Sequence, residues 1–284
     1  MSKVGIVTDS TSCLPPELIQ KYDIQVGSVN LILDGQVFRD QAEISPAEFW
    51  SLFKDLRELP TTSAVNPGDF KDIFTKLGKS TDSIAVIILS KALSATYPAA
   101  VEARDIVRSE RPGLNIEIID TQTVAGALGF IVLEAARAAQ TGKSLAEVIQ
   151  VAQNMIPRVK FFAGLDTLKY LIKGGRAPKT AYIGELLQVK PIIGMTNNSG
   201  VIESLGRVRG KRKCWLKMAD MINKHIDTNK PIHLMIHYSD NIEDGKEVKN
   251  IVTSRYNCVE VYLTPFTPVM ATHTGPVLSL SFYS

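Results

Sequence analysis

The chain is poor in the features that most quickly betray a function. Its three cysteines, Cys13, Cys214 and Cys258, are odd in number and far apart, which excludes a disulfide framework and a CxxC metal site. A reducing, cytoplasmic setting is the expectation from such cysteine use. No apolar run reaches the roughly 18–20 residues that a membrane span needs. The longest candidate, Val124–Ala136, is interrupted by Gly126, Gly129 and Glu134. The opening segment MSKVGIVTDS has one lysine and no apolar core after it, so it does not read as a secretory signal. Charge of one sign is also scarce. The net charge of +3 asks for no nucleic-acid partner. Only four histidines occur, and no HxH, HExxH or carboxylate pair has metal spacing, so neither a metal nor a cofactor is expected.

What is present is an alternation. VGIVTD (Val4–Asp9), SIAVIILS (Ser83–Ser90) and NIEIID (Asn115–Asp120) are short β-branched runs that end in polar residues, as buried parallel strands do. Helical patterns stand between and after them at Pro15–Tyr22, Ser45–Leu56, Pro67–Leu77, Thr96–Arg108 and Val124–Gln140. Such alternation predicts an α/β fold, with a parallel sheet flanked by helices. The second half reads as strands at Phe161–Leu165, Val189–Gly194, Val201–Gly206, Ile232–Tyr238 and Cys258–Thr264. A long helix at Lys211–Ile226 and a hairpin turn at Asn197–Gly200 accompany them. This predicts a second α/β domain with a mixed or antiparallel sheet. The boundary falls near Gln153–Arg158, giving domains 1–155 and 156–284.

Ligands of parallel sheets sit at the carboxyl ends of the strands, where helices begin. Three segments place hydroxyls there. PTTSAVNPGDF carries Thr61, Thr62 and Ser63 ahead of a helix starting at Pro67 with Asn66 as its cap. LSKALSATY puts Ser94 one or two residues before a helix, and IIDTQTVAGALG brings Asp120, Thr121 and Thr123. Helix amino termini offer unpaired N–H groups to an anion. Each residue taken singly reads as an ordinary cap, and only their occurrence together at strand ends points to an anion pocket. His273, in THTGPVL, lies in what reads as an irregular segment. It is either a donor to an anion or a histidine satisfied by backbone.

The basic run RVRGKRK (Arg207–Lys213) holds five cations in seven residues and opens the predicted helix, where positive charge opposes the helix dipole. A solvated face, a docking surface for an acidic partner and a phosphate contact remain open readings. Sparse aromatics nearby weaken a nucleic-acid reading. KGGR (Lys173–Arg176) is a glycine turn between cations, too short for a P-loop.

Taken in order, VTDSTSCLP, PTTSAVNP, LSKALSATY, IDTQTVAGALG, LDTLKYLIKGGR, KPII and HTGP resemble the motifs of DegV-family proteins from about residue 4 to the carboxyl end. The resemblance implies a two-domain architecture with a long-chain fatty acid buried between the domains. It also implies a non-catalytic role like that of the binding subunit of the bacterial fatty acid kinase. There a separate ATP-using kinase converts the presented carboxylate to an acyl phosphate. Thr62 and Ser63 match the family's TSxxxP segment, Ser94 the serine of LSGTY and His273 the histidine of HxGP. The threonine, that serine and the histidine are implied to surround the carboxylate. Arg176 matches the arginine after the Gly-Gly turn. Arg207, with Arg209 as the other candidate, matches an arginine near the site mouth. Asp9 and Ser10, at the end of the first strand, are implied to support the pocket. Transient membrane contact is a further implication.

The chain departs from that pattern where LSGTYQ reads LSATYP, with Ala95 and Pro98. It departs again where HxGPGAxG reads HTGPVLSLSFY, which is expected to narrow or reshape the pocket. Two enzymatic alternatives stand beside this reading. One is a lipid ester hydrolase using Ser94 and His273, although no GxSxG elbow is present. The other is an enzyme acting on a phosphate ligand.

Overall fold

The computed structural model describes residues 4–178 and 188–284, so the first three residues of the segment tested for a secretory signal lie outside it. The amino-terminal half begins with β1 (Gly5–Asp9), α1 (Pro16–Tyr22), β2 (Gln25–Gly27), β3 (Asn30–Leu33) and β4 (Gln36–Arg39). It continues through α2 (Pro46–Phe53), β5 (Thr61–Ser63), α3 (Pro67–Gly78), β6 (Ser83–Ile88) and α4 (Thr96–Glu110). It closes with β7 (Asn115–Asp120), α5 (Ala125–Gln140) and α6 (Leu145–Met155). The order β2-β1-β6-β7 makes a parallel four-stranded sheet. Alternate side chains of β6 face opposite sides, so Ile84, Val86 and Ile88 pack with α3 and α4 while Ala85 and Ile87 pack with α5. A smaller antiparallel sheet, β4-β3-β5, lies apart, and its hairpin turns at Asp34-Gly35 with both residues at positive φ. Asp-Gly is the pair that such a two-residue turn favours.

The carboxyl-terminal half contains β8 (Lys160–Leu165), α7 (Lys169–Lys173), β9 (Val189–Met195), β10 (Glu203–Arg209) and α8 (Lys211–Met221). After these come β11 (Ile232–Tyr238), α9 (Ile242–Thr253), β12 (Cys258–Pro265), α10 (Pro268–Thr274) and β13 (Val277–Tyr283). Six of these strands form a mixed sheet in the order β10-β9-β8-β13-β11-β12, in which only β11 and β12 run parallel. The expected parallel sheet and mixed sheet are therefore both present. One face of the mixed sheet, with Phe162, Ile192, Leu234 and Phe282, packs on α8 and α9. Its other face, with Phe161, Ala163 and Ile193, joins the same apolar cluster as α5. That explains the long apolar run in the sequence: α5 is buried on nearly every side between two sheets.

Two expectations need correction. His273 does not lie in an irregular segment; it occupies the last turn of α10. The basic run does not open a helix throughout, because Arg207 and Arg209 belong to the edge strand β10 and only Lys211–Lys213 begin α8. Gly210, at φ +93, makes the change from strand to helix between them.

Candidate functional site

All three sheets deliver residues to one place. A narrow slot of about 60 Å³ is lined by Leu89 and Leu93 at the end of β6, by Val124 before α5, and by Val29 and Thr62 of the small-sheet region. Phe161, Ile193 and Ile202 come from the mixed-sheet side, with Leu171 and Arg176 from α7 and the turn after it. Val269, Met270, His273 and Thr274 come from α10. Thr62, Arg176 and His273 also line a neighbouring, wider pocket of about 250 Å³ together with Tyr170 and Lys173. The slot is mostly apolar, and three of its polar side chains, Thr62, Arg176 and His273, stand where it meets the wider pocket.

Thr62 reaches this corner because β5 alternates, turning Thr62 inward while Ser63 stays exposed and receives the Asn30 amide at 3.3 Å. Thr62 Oγ1 and His273 Nε2 share a hydrogen bond of 2.8 Å. Gly174 permits the close approach of this ring, since a Cβ there would stand 2.6 Å from His273 Nδ1. Burial, reinforced by the Arg176 charge, pushes the His273 pKa down to about 4, so the ring is neutral at neutral pH. Ser94 accepts from the Thr96 N–H at 3.2 Å and pairs with the Thr96 hydroxyl at 3.0 Å, so it caps α4 from within the slot wall. Since Ser94 pairs with Thr96 and His273 with Thr62, the two do not form a nucleophile–base pair here.

Among the described residues that line the slot, Arg176 is the one cation. Its Nε donates to the Leu93 carbonyl at 3.1 Å and its Nη1 donates to the Gly174 carbonyl. It forms no ion pair with an acidic side chain among the described residues. Burial lowers its pKa from the ordinary guanidinium value, but a guanidinium remains charged at neutral pH. A half-buried charge held by two carbonyl oxygens is an attractive seat for an anion.

The remaining site candidates stand behind or away from the slot. Asp9 accepts from the N–H groups of Thr11 and Leu89, each at 2.9 Å, and thereby fixes two lining residues. Ser10 Oγ accepts from the Val29 N–H at 3.2 Å and does the same for a third. Arg207 is exposed on β10 and lines neither pocket, as is Arg209. Ala95 is exposed and outside the lining, so its methyl group does not crowd the corner; Val277 begins β13 and is likewise no part of the slot. Sequence reasoning passed over Ser90, whose hydroxyl donates to the Gly200 carbonyl at 2.7 Å and ties the β9–β10 turn to the parallel sheet. It also passed over the apolar liners, whose individual residues carry no signature beyond being buried.

With this geometry in place, a family model described as "Uncharacterised protein, DegV family" matches residues 3–284. The chain belongs to the DegV family. A DegV domain-containing protein of Caldanaerobacter subterraneus is 35% identical over 278 residues, covering 97% of this chain and 96% of that protein. Among solved structures, a DegV family protein from Thermus thermophilus described by its fatty acid binding superposes with a TM-score of 0.90. It is 28% identical and covers 100% of both chains. DegV from Bacillus subtilis, described as a fatty acid binding protein, has a TM-score of 0.88 at 27% identity. It covers 100% of this chain and 99% of its own.

Proposed function

We propose that this DegV-family protein binds a long-chain fatty acid in the slot, with the carboxylate at the corner of Thr62, Ser94, Arg176 and His273, and catalyses nothing alone. The observation that carries this reading is the polarity of the slot: a largely apolar passage, with Ser94 in its wall, that meets the wider pocket at the Thr62 hydroxyl, a neutral imidazole and an arginine without an acidic partner among the described residues. Each buried methylene contributes roughly 0.8 kcal/mol, so a long acyl chain supplies on the order of 10 kcal/mol before ordering costs. A carboxylate buried without partners would cancel much of that gain. Arg176 supplies the opposite charge and the hydroxyls and imidazole supply donors, so the corner offsets that cost. A slot of about 60 Å³ is small beside ordinary ligand pockets, and an acyl chain is accommodated as flexible side chains such as Met270 turn aside.

The division of the chain falls, in this reading, near residue 155 between α6 and β8, with the ligand between the two units. The carboxylate at the wider pocket is placed for presentation to a separate fatty acid kinase. Arg207 and Arg209 pair across the sheet with Pro191 and Val189 and share the face of Ile193, which bounds the slot. A cationic rim on that face suits an acidic partner or transient contact with an anionic membrane surface. Three free cysteines, two of them buried, are compatible with a cytoplasmic, reducing setting. Among the described residues no helix is long and apolar enough to cross a membrane.

Native mass spectrometry of the purified protein and titration with palmitate or oleate test the proposal. A retained mass of one fatty acid, or uptake on titration, is expected. Absence of both would end it. In the double variant Ser94→Ala/His273→Ala, binding or acyl-phosphate formation with a kinase should fall, and unchanged values in both would remove the head-group assignment. The hydrolase alternative instead predicts turnover of a chromogenic ester that Ser94→Ala abolishes. The phosphate-ligand alternative predicts uptake of a soluble phosphorylated metabolite.

A further inference from the structure

A buried acid outside the slot connects two of its walls. Asp40 follows β4 and has no solvent exposure. Its backbone N–H donates to the Val29 carbonyl at 3.0 Å, and its Oδ1 accepts from the Val269 N–H at 3.2 Å. Val29 and Val269 both line the slot. The second bond is made across 229 residues of chain and falls at the start of α10. Helix α10 needs it. Its first residue, Pro268, has no N–H, and the side chain of its N-cap residue, Thr267, makes no capping hydrogen bond. Val269 therefore offers the first unpaired N–H of the helix, and Asp40 takes it. The same short helix carries His273 in its last turn, where the ring meets Thr62 at 2.8 Å.

We propose that Asp40 is the positioning residue of the head-group corner: its carboxylate clamps the amino terminus of α10 and so sets where His273 stands against Thr62. This rests on the fatty-acid reading of the slot. A negative charge at a helix amino terminus, accepting an N–H, makes a stronger clamp than a neutral acid in the same position. The groups facing Asp40 are the Ser10 and Thr267 hydroxyls, which favour its charged form, and Asp9, which opposes it. The Cys13 thiol also faces it and is itself pushed up to about 12. Burial raises the Asp40 pKa to about 7. The clamp thus weakens as pH falls through neutrality, well above the pH at which His273 becomes charged.

Asp40→Asn keeps shape and one acceptor oxygen but cannot ionise, so it mimics the protonated acid at every pH. The experiment measures palmitate affinity of the native protein and of Asp40→Asn side by side across pH 5.5 to 8.5, where titration of the ligand itself is common to both. At pH 8 the variant is expected to bind about fivefold more weakly, the worth of one negative charge at a helix amino terminus. That ratio should shrink toward one at the acid end. Hydrogen exchange across residues 268–274 should be faster in the variant, with thermal unfolding as a check on the remaining fold. A ratio that does not change with pH, or equal affinity at pH 8, overturns the proposal. If the native protein takes up no palmitate at any pH, the fatty-acid reading fails by itself. The exchange measurement then decides for Asp40, and unchanged protection of α10 overturns the clamp.

Discussion

Two half-buried arginines in this molecule are used in opposite ways. Arg137, on α5, donates to Glu134 at 2.6 Å and to Glu260 on β12, with Tyr22 at 3.5 Å. Tyr283 donates to Glu134 at 2.9 Å, and His233 Nδ1 meets Glu260 at 2.7 Å. Burial works against the charges in this network, but the hydrogen bonds from Arg137, Tyr262 and His233 still bring Glu260 down to about 2. Arg137 itself rises above the ordinary guanidinium value through Glu260, Tyr22 and Glu134, despite its burial. Among the described residues Arg176 has only two carbonyl oxygens as partners, and burial acts on it in the lowering direction. One cation is neutralised by its own chain and fastens α5 to the mixed sheet. The other is held in place with its charge unspent, which is what a receptor for an anion requires.

The sharpest way to break this contrast is to convert the open corner into a closed one. Ser94→Asp keeps an acceptor for the Thr96 N–H and sets a carboxylate beside Arg176, which bonds the adjacent Leu93 carbonyl. Fatty-acid affinity should then fall about a hundredfold or more, since like charges meet at the corner. Stability to urea should hold or rise. Retention of lipid by this variant would show that the carboxylate sits elsewhere. Next in size, Arg137→Ala should cost about 2 kcal/mol of stability by leaving Glu134 and Glu260 without their cation. Ligand affinity of the folded protein should stay near the native value. Arg176→Leu should do the reverse, with stability within about 1 kcal/mol of native and fatty-acid affinity about tenfold weaker by isothermal titration. Equal effects of both substitutions on both measurements would remove the distinction.

How much of this was legible in the sequence follows from what each feature depends on. The parallel strands and the central helix could be read because burial on both faces leaves continuous apolar runs, as in SIAVIILS and Val124–Ala136. The β3–β4 hairpin carried a plain signal in Asp34-Gly35, and α6 carried a capping box, with the Ser144 N–H donating to Glu147 at 2.9 Å. Both signals are local and were there to be used. Strand β13 was harder, because VLSLSFY is buried throughout, serines included, and follows a proline-rich stretch. Thr62, Ser94, Arg176 and His273 were named through motif resemblance, and their convergence on one slot comes from the three-dimensional chain path. Ser63 shows the limit of such transfer: it shares the motif with Thr62 but lies on the opposite face of β5. The bond from Asp40 to Val269 had no sequence signal, since nothing local ties an acid after a hairpin to a helix 229 residues away.

The smallest expected effect concerns the proton that the corner refuses. His273 has an ordinary value of 6.5 in the unfolded chain and about 4 in the fold, because burial and the Arg176 charge disfavour the cation. The unfolded state therefore binds more protons between those values. Its contribution to stability is complete above pH 6.5 and is lost as pH falls toward 4. Over the single unit from pH 6.5 to 5.5 this amounts to about 1 kcal/mol. His237, fully buried and pushed down to about 3 by burial, adds to the slope in the same direction. His273→Gln keeps a polar group opposite Thr62 and should flatten the urea-measured slope in that window by its own share, leaving that of His237. A slope unchanged in the variant would mean that the ring titrates near its ordinary value. Burial and the Arg176 charge would then not be what keeps it neutral, and below about pH 6.5 the corner would meet a fatty acid with two positive charges instead of one.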